Sequence, residues 1–234
     1  MAMLSVPVSV PVPPPVSARS LYSFAMGPLK RHFWMLLAVS IVGLVLQSFG
    51  NVFQGAVSGP DSGSASAIAV SLSGLFSVLV GQPVMYGITY SYLRTARGEP
   101  PQFDDVIRMF KFNYLAVVLS SIVVGVAVAI GFILLIIPGI YIGARLSLVS
   151  FLVADQGLGV DAALRESWRL TNGKVWLIIK LWILAIPVVI VGFILLFIGI
   201  IPASMWITLT AATLYESIRL ADAPVPVSKS AFSE

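Results

Sequence analysis

Arg145 is the residue whose type and setting most call for a chemical explanation. It lies in the run Ile140 to Val153, which holds no other Lys, Arg, Asp or Glu, about six residues (~9 Å of helix) from its start. An arginine at mid-membrane costs about 2.5–3.5 kcal/mol on insertion scales, and each strongly apolar residue returns about 0.3–0.6 kcal/mol. With Arg145 central, the run is near break-even as a membrane span. Either the guanidinium snorkels outward or it faces a polar interior. Asp155 comes ten residues later, ~15 Å along a helix, too far to be its direct partner. A polar interior would suit a small anion or a lipid headgroup.

Two glutamines could share that interior. Gln47 falls on one helical face with Ser40, Gly43 and Gly50; Gln82 falls on another with Tyr86, Thr89 and Tyr90. The alternative is hydrogen bonding between packed helices, which is also the use of the small-residue faces Ser121/Gly125/Ala129 and Gly143/Ser147/Ser150/Ala154. Lys180 stands near the start of another apolar run, where its stem can reach back to water. Pro83 and Pro187 are expected to kink their helices.

Most other chemistry is excluded by composition. The 234 residues include no cysteine and a single histidine, His32, so thiol nucleophiles, disulfides and His/Cys metal sites are ruled out. There is no phosphate-binding glycine loop and no nucleophile elbow. Gly157-Leu158-Gly159 lacks the strand context of a dinucleotide fingerprint, and Asp104-Asp105 are adjacent helix positions that face different ways. No catalytic residue, cofactor or metal is expected, and no nucleic-acid partner.

The elements that carry these residues are membrane helices. Hydrophobic residues make up 58% of the chain and charged ones 10%, too few charges to coat a water-facing surface. Six apolar segments can be marked, about 33–53, 67–93, 114–137, 140–153, 175–201 and 203–218. Arg19, Lys30 and Arg31 precede the first; Arg94, Arg97, Arg108 and Lys111 follow the second; Arg165, Arg169 and Lys174 follow the fourth; Arg219 and Lys229 follow the last. The other three connections hold no cation. All loop cations thus fall on one side, which is expected to be cytoplasmic together with both termini.

That side also carries amphipathic helices. Phe103, Val106, Ile107, Phe110 and Tyr114 oppose Asp104, Asp105, Arg108 and Lys111, with Asp104 and Arg108 spaced to pair. Val160, Ala163, Leu164 and Trp168 oppose Arg165, Glu166 and Arg169. Leu21, Phe24, Ala25 and Pro28 form a weaker version. Such helices either lie in the lipid interface or pack on the inner ends of the bundle. Amphipathic helix, break, span, hairpin and span recur three times, with breaks at Gly27-Pro28, Asn113 and Asn172-Gly173 and with similar hairpins at Phe132–Pro138 and Phe193–Pro202. The fold expected is all-α: a polytopic bundle of six transmembrane helices in three co-oriented hairpin pairs with cytoplasmic amphipathic helices. It occupies residues 19–220 between a disordered Pro-rich tail, 1–18, and a second tail, 221–234.

The stretch Leu134–Lys174 contains Pro138-Gly139, Arg145, Asp155, Gly157, Ala163, Ser167, Trp168 and Gly173, within a segment ending ALRESWRLTNGK. It resembles a group of bacterial and archaeal integral membrane proteins that includes the membrane domain fused to some glycerophosphodiester phosphodiesterases. The resemblance implies a multi-span module of the cell membrane. It does not import the phosphodiesterase reaction, which belongs to a separate soluble domain. Arg145, Gln47, Gln82, Tyr86, Asp155, Arg165 and Trp168 are the candidate functional residues. Membrane lipids are the expected partners, with a membrane or cytoplasmic protein as a further candidate. The function expected is a non-enzymatic scaffold or envelope-modulating module; the alternative is a transporter or channel for a small anionic solute or lipid headgroup.

Overall fold

A computed structural model describes residues 17–57, 74–194 and 199–222, and among these every regular element is helical. Residues 1–16 and 223–234, the bulk of both expected tails, lie outside the described residues. In chain order the helices are α1 (Ala18–Arg31), α2 (Phe33–Val57), α3 (Gln82–Ala96), α4 (Asp104–Lys111), α5 (Tyr114–Leu134), α6 (Ile136–Leu146), α7 (Val149–Gln156), α8 (Val160–Leu170), α9 (Val175–Ile194) and α10 (Ile200–Asp222). A π-helical turn, Ser77–Gly81, leads into α3.

α1 starts at Ser17, whose hydroxyl accepts from the Arg19 N–H, and buries Leu21, Tyr22, Ala25 and Leu29 against the bundle. The expected break at Gly27-Pro28 is not there. Pro28 sits inside the helix, its carbonyl accepting from the His32 N–H, and the chain turns one residue beyond Arg31, bending 93° into α2. Proline forgoes only its own N–H bond, and with one turn left the helix has little to lose. The other two breaks fall where the sequence places them. Asn113 (φ 58°) and Gly173 (φ 71°) adopt the left-handed conformation that Asn and Gly tolerate best.

α5, at 21 residues, is ~31 Å long and matches a ~30 Å hydrocarbon core. It folds back on α6 through Leu135 alone. So tight a return needs Gly131: a Cβ there would come within 2.9 Å of the Gly139 Cα. α5, the continuous pair α6–α7 (Ile136–Gln156) and α9 are long and apolar enough to cross a membrane; α1 with the first part of α2 makes a fourth candidate if the bent pair is one span. Ile122, Val126 and Ile130 on α5, and Ile183, Ile186 and Ile190 on α9, are exposed and form the surface a bilayer would cover. Trp34 and Trp176 are exposed near the starts of α2 and α9, as interfacial tryptophans are.

Among the described residues, three helices are long and apolar enough to be candidate spans, or four with the bent pair. α10 is long enough but less apolar, because it lies inside the bundle. Met205, Leu209, Ala212, Leu214, Tyr215 and Ile218 are all buried, so neighbouring helices stand where lipid would. α3 is likewise largely buried and has only 15 residues after the π turn.

Candidate functional site

The C-terminal ends of α3, α7 and α10 meet, and at that meeting the bundle collects its buried charge. Arg97 caps α3. Its guanidinium donates to both carboxylate oxygens of Asp155 at 2.7 and 2.9 Å and twice to Glu216 at 2.8 and 2.9 Å. Asp155 ends α7 and also accepts from the Tyr215 hydroxyl and from Arg219, each at 3.0 Å. Gln156 donates to the Tyr215 oxygen at 3.0 Å. The side chains of Asp155 and Glu216 are only 6% and 9% exposed, so each carboxylate depends on these donors in place of water. Burial pulls the Arg97 pKa down, but the bonds to Asp155 and Glu216 more than offset it and hold the guanidinium above its ordinary value.

A second pair lies beside this cluster. Arg94 bonds Asp105 at 3.1 Å and Glu99 at 3.0 Å, and Asp105 also accepts from Ser91 and the Gln102 N–H. Here the expected Asp104–Arg108 pairing gives way. Asp105 turns inward to Arg94, and Arg108 lies over the Tyr90 ring, 4.6 Å from its centroid. α4 can lie this close to α3 because of Gly87, where a Cβ would come within 2.6 Å of the Asp105 and Val106 carbonyl oxygens.

Arg145 is placed elsewhere and bonded differently. It lies in the last turn of α6 and donates to the Trp168 carbonyl at 3.1 Å, the Tyr141 hydroxyl at 2.8 and 3.0 Å, and the Asn172 side-chain oxygen at 3.5 Å. Its charge sits 4.9 Å from the Trp168 ring centroid. In return the Ser167 hydroxyl donates to the Arg145 carbonyl at 2.7 Å. The guanidinium thus reaches the C-terminal end of α8, where carbonyls lack helical partners and positive charge is favoured. An outward snorkel is not what the geometry shows: the guanidinium extends toward the end of the bundle where α8 lies. Asp155 is not its partner, as its helical distance required.

Of the other candidates whose side chains are described, Trp168 meets Arg145 and the rest do not converge on it. Tyr86 is buried and bonds Ser120 at 3.2 Å, joining α3 to α5. Gln82 is half-buried at the start of α3. Gln47 belongs to α2, but its side chain lies outside the described residues. Arg165 pairs with Asp161 on an open surface. Trp168 stacks edge-on with Tyr141. Arg169 ties α8 to the end of α10 through Glu166 and Asp222, and its bonds hold both carboxyls below their ordinary pKa values.

Sequence reasoning missed Arg97, Glu216 and Tyr215. One signal could have found them: Glu216 stands in TLYESIRL, where an acid this close to apolar residues needs a cation. Cavities of about 70, 480 and 530 Å³ lie among the described residues, and neither Arg145 nor Gln82 lines any of them. No family model, curated protein or solved structure matches the chain.

Proposed function

We propose that the protein is a non-enzymatic, multi-pass membrane scaffold of a bacterial or archaeal cell membrane. It has six spans in three co-oriented hairpins, with its cation-rich end and both termini in the cytoplasm. The observation that carries this reading is where the polar side chains spend their bonds. Arg97, Asp155 and Glu216 close on one another, Arg145 closes on the end of α8, and Tyr86 closes on Ser120. Groups that bind and release a solute would be left facing a cavity; these fasten helices together.

The co-oriented repeat draws support from the same cluster. Its three main members come from the second span of each proposed hairpin, and all lie at the C-terminal ends of those helices. The cation-rich end has outward surfaces suited to docking. α4 leaves Phe103, Ile107 and Phe110 exposed beside Arg108 and Lys111, and α8 leaves Trp168 half-exposed.

Two measurements test the reading. Because the chain has no cysteine, single Gln102→Cys and Leu135→Cys variants report topology in whole cells. An impermeant maleimide is expected to label position 135 or neither, and labelling at 102 from outside overturns the orientation. Reconstituted wild-type protein and Arg145→Leu are then compared for flux of small anions through liposomes. Neither is expected to conduct; flux in the wild type, lost in a folded Arg145→Leu, favours the transporter.

A further inference from the structure

The groove between the start of α1 and one face of α9 has a chemistry that the scaffold reading does not use. Leu177, Lys180 and Leu184 follow one another at i, i+3 and i+7 and share a face of α9, with Gly173 in the turn just before it. Together with Lys174 and, across from them, Ser17 and Arg19, they line a cavity of about 530 Å³. Three cations therefore face one space, and no carboxylate lines it. None of the three makes an ion pair among the described residues. Asp222 feels the charge of Lys174 at longer range but is itself bonded to Arg169.

This charge is set against apolar surface. Lys174 immediately precedes the candidate span Val175–Ile194, and Lys180 lies five residues into it, ~8 Å along the axis. Leu177 and Leu184, both half-buried, continue the groove along the span. We infer that this groove binds an anionic phospholipid. The phosphate sits among Arg19, Lys174 and Lys180, and the first part of an acyl chain lies against Leu177 and Leu184. A free phosphate would use the cations but not the leucines. A choline lipid would bring its own ammonium toward three cations and lose most of the attraction, so net negative charge is the selecting feature. The inference rests on the chain lying in a bilayer and not on the scaffold role, so the flux assay leaves it untouched.

The test uses the full chain in neutral detergent, titrated with phosphatidylglycerol or phosphatidylcholine, with lipid bound per chain read by native mass spectrometry. Phosphatidylglycerol is expected to be retained well after phosphatidylcholine has dissociated. Lys180→Met and Lys174→Met keep the aliphatic stem and remove the charge; each is expected to weaken phosphatidylglycerol binding about fivefold. Lys111→Met, at an exposed cation of α4, is expected to leave binding within about twofold, since screening confines such attraction to roughly 10 Å. Arg19→Gln, on the α1 side, repeats the test should a lysine variant fail to fold. Equal retention of the two lipids overturns the site, as does an equal loss in Lys111→Met, which would mean diffuse attraction. Displacement of the lipid by millimolar inorganic phosphate overturns the lipid in favour of a free anion.

Discussion

Arg97 and Arg145 both stand at helix ends and both need partners for their charge, yet they find them in opposite ways. Arg97 is held by two carboxylates from helices far away in sequence. Among the described residues Arg145 has no carboxylate within ion-pair distance, and it uses a carbonyl, a phenol, an amide oxygen and the face of a tryptophan. The difference follows from what surrounds each. Arg97 lies among buried side chains whose own charges need it, so its removal would strand two acids. Arg145 stands at the half-open edge of α6, where neutral acceptors and aromatic faces suffice. The arginine most conspicuous in the sequence is thus expected to be the less consequential for stability.

The sharpest way to break this comparison is Arg97→Met. Removing one partner of a buried ion pair costs about 3–5 kcal/mol, because the remaining charge is left uncompensated. Arg219 and Tyr215 continue to bond Asp155, so Glu216 is the more exposed to the loss. Unfolding of purified protein in mixed micelles measures it. If charge is the cause, adding Asp155→Asn and Glu216→Gln to Arg97→Met restores most of the stability. A triple variant no better than the single one would assign the loss to packing.

Arg145→Leu is expected to cost less, about 1.5–3 kcal/mol, the range for hydrogen bonds to a charged group, and part of that returns through the added apolar contact. The variant should still fold. Its characteristic sign would be faster hydrogen exchange in the last turn of α8, around Trp168 and Thr171, with α3 and α10 unchanged. A loss as large as that of Arg97→Met would reverse the ranking of the two arginines.

The same contrast explains what could be read from the sequence. The helical class, the starts of α5 and α9, and the turns at Asn113 and Gly173 are local matters of apolar period and left-handed backbone, and all are visible in short windows. So was the oddity of Arg145, which is defined by its immediate neighbours. The Arg97–Asp155–Glu216 cluster is not local: its members are separated by 58 and 119 residues from Arg97, and each alone looks like an ordinary polar residue at a span end. α10, marked in the sequence as the apolar run 203–218, is largely surrounded by protein, so it carries threonines, a glutamate and an arginine where a lipid-facing helix would not. The motif residues of the stretch Leu134–Lys174 also turn out to be joints. Gly139 lies against the Phe132 ring, Gly157 accepts from the Asn113 side chain, and Ser167 and Trp168 clasp Arg145.

A smaller effect tests the third arginine arrangement, Arg169 with Glu166 and Asp222. Bonds from Arg169 hold both carboxyls below their ordinary values of 4.5 and 3.8. A depressed carboxyl contributes stability above its unfolded value and loses it as pH falls through the folded one. The tie between α8 and α10 is therefore intact at neutral pH and weakens only in acid, below those ordinary values. Thermal melts of wild type and Arg169→Gln should differ at neutral pH and converge in acid. A gap that persists unchanged at strongly acidic pH would mean that Arg169 acts through packing.

The smallest effect expected is that of Arg165→Ala, and it is informative because it should be small. Arg165 and Asp161 are 80% and 78% exposed and pair along one face of α8. An exposed pair of this kind contributes about 0.3–0.5 kcal/mol, and salt screens even that. In purified monodisperse protein the substitution should be nearly silent, in contrast to both Arg97 and Arg145 on neighbouring helices. If it is silent there but lowers the stability or abundance of the protein in native membranes, the exposed face of α8 is covered in the cell, and the scaffold reading acquires a specific docking surface. If it destabilises the isolated protein by more than about 1 kcal/mol, exposure does not decide which arginines hold this fold together, and the contrast between Arg97 and Arg145 loses its physical basis.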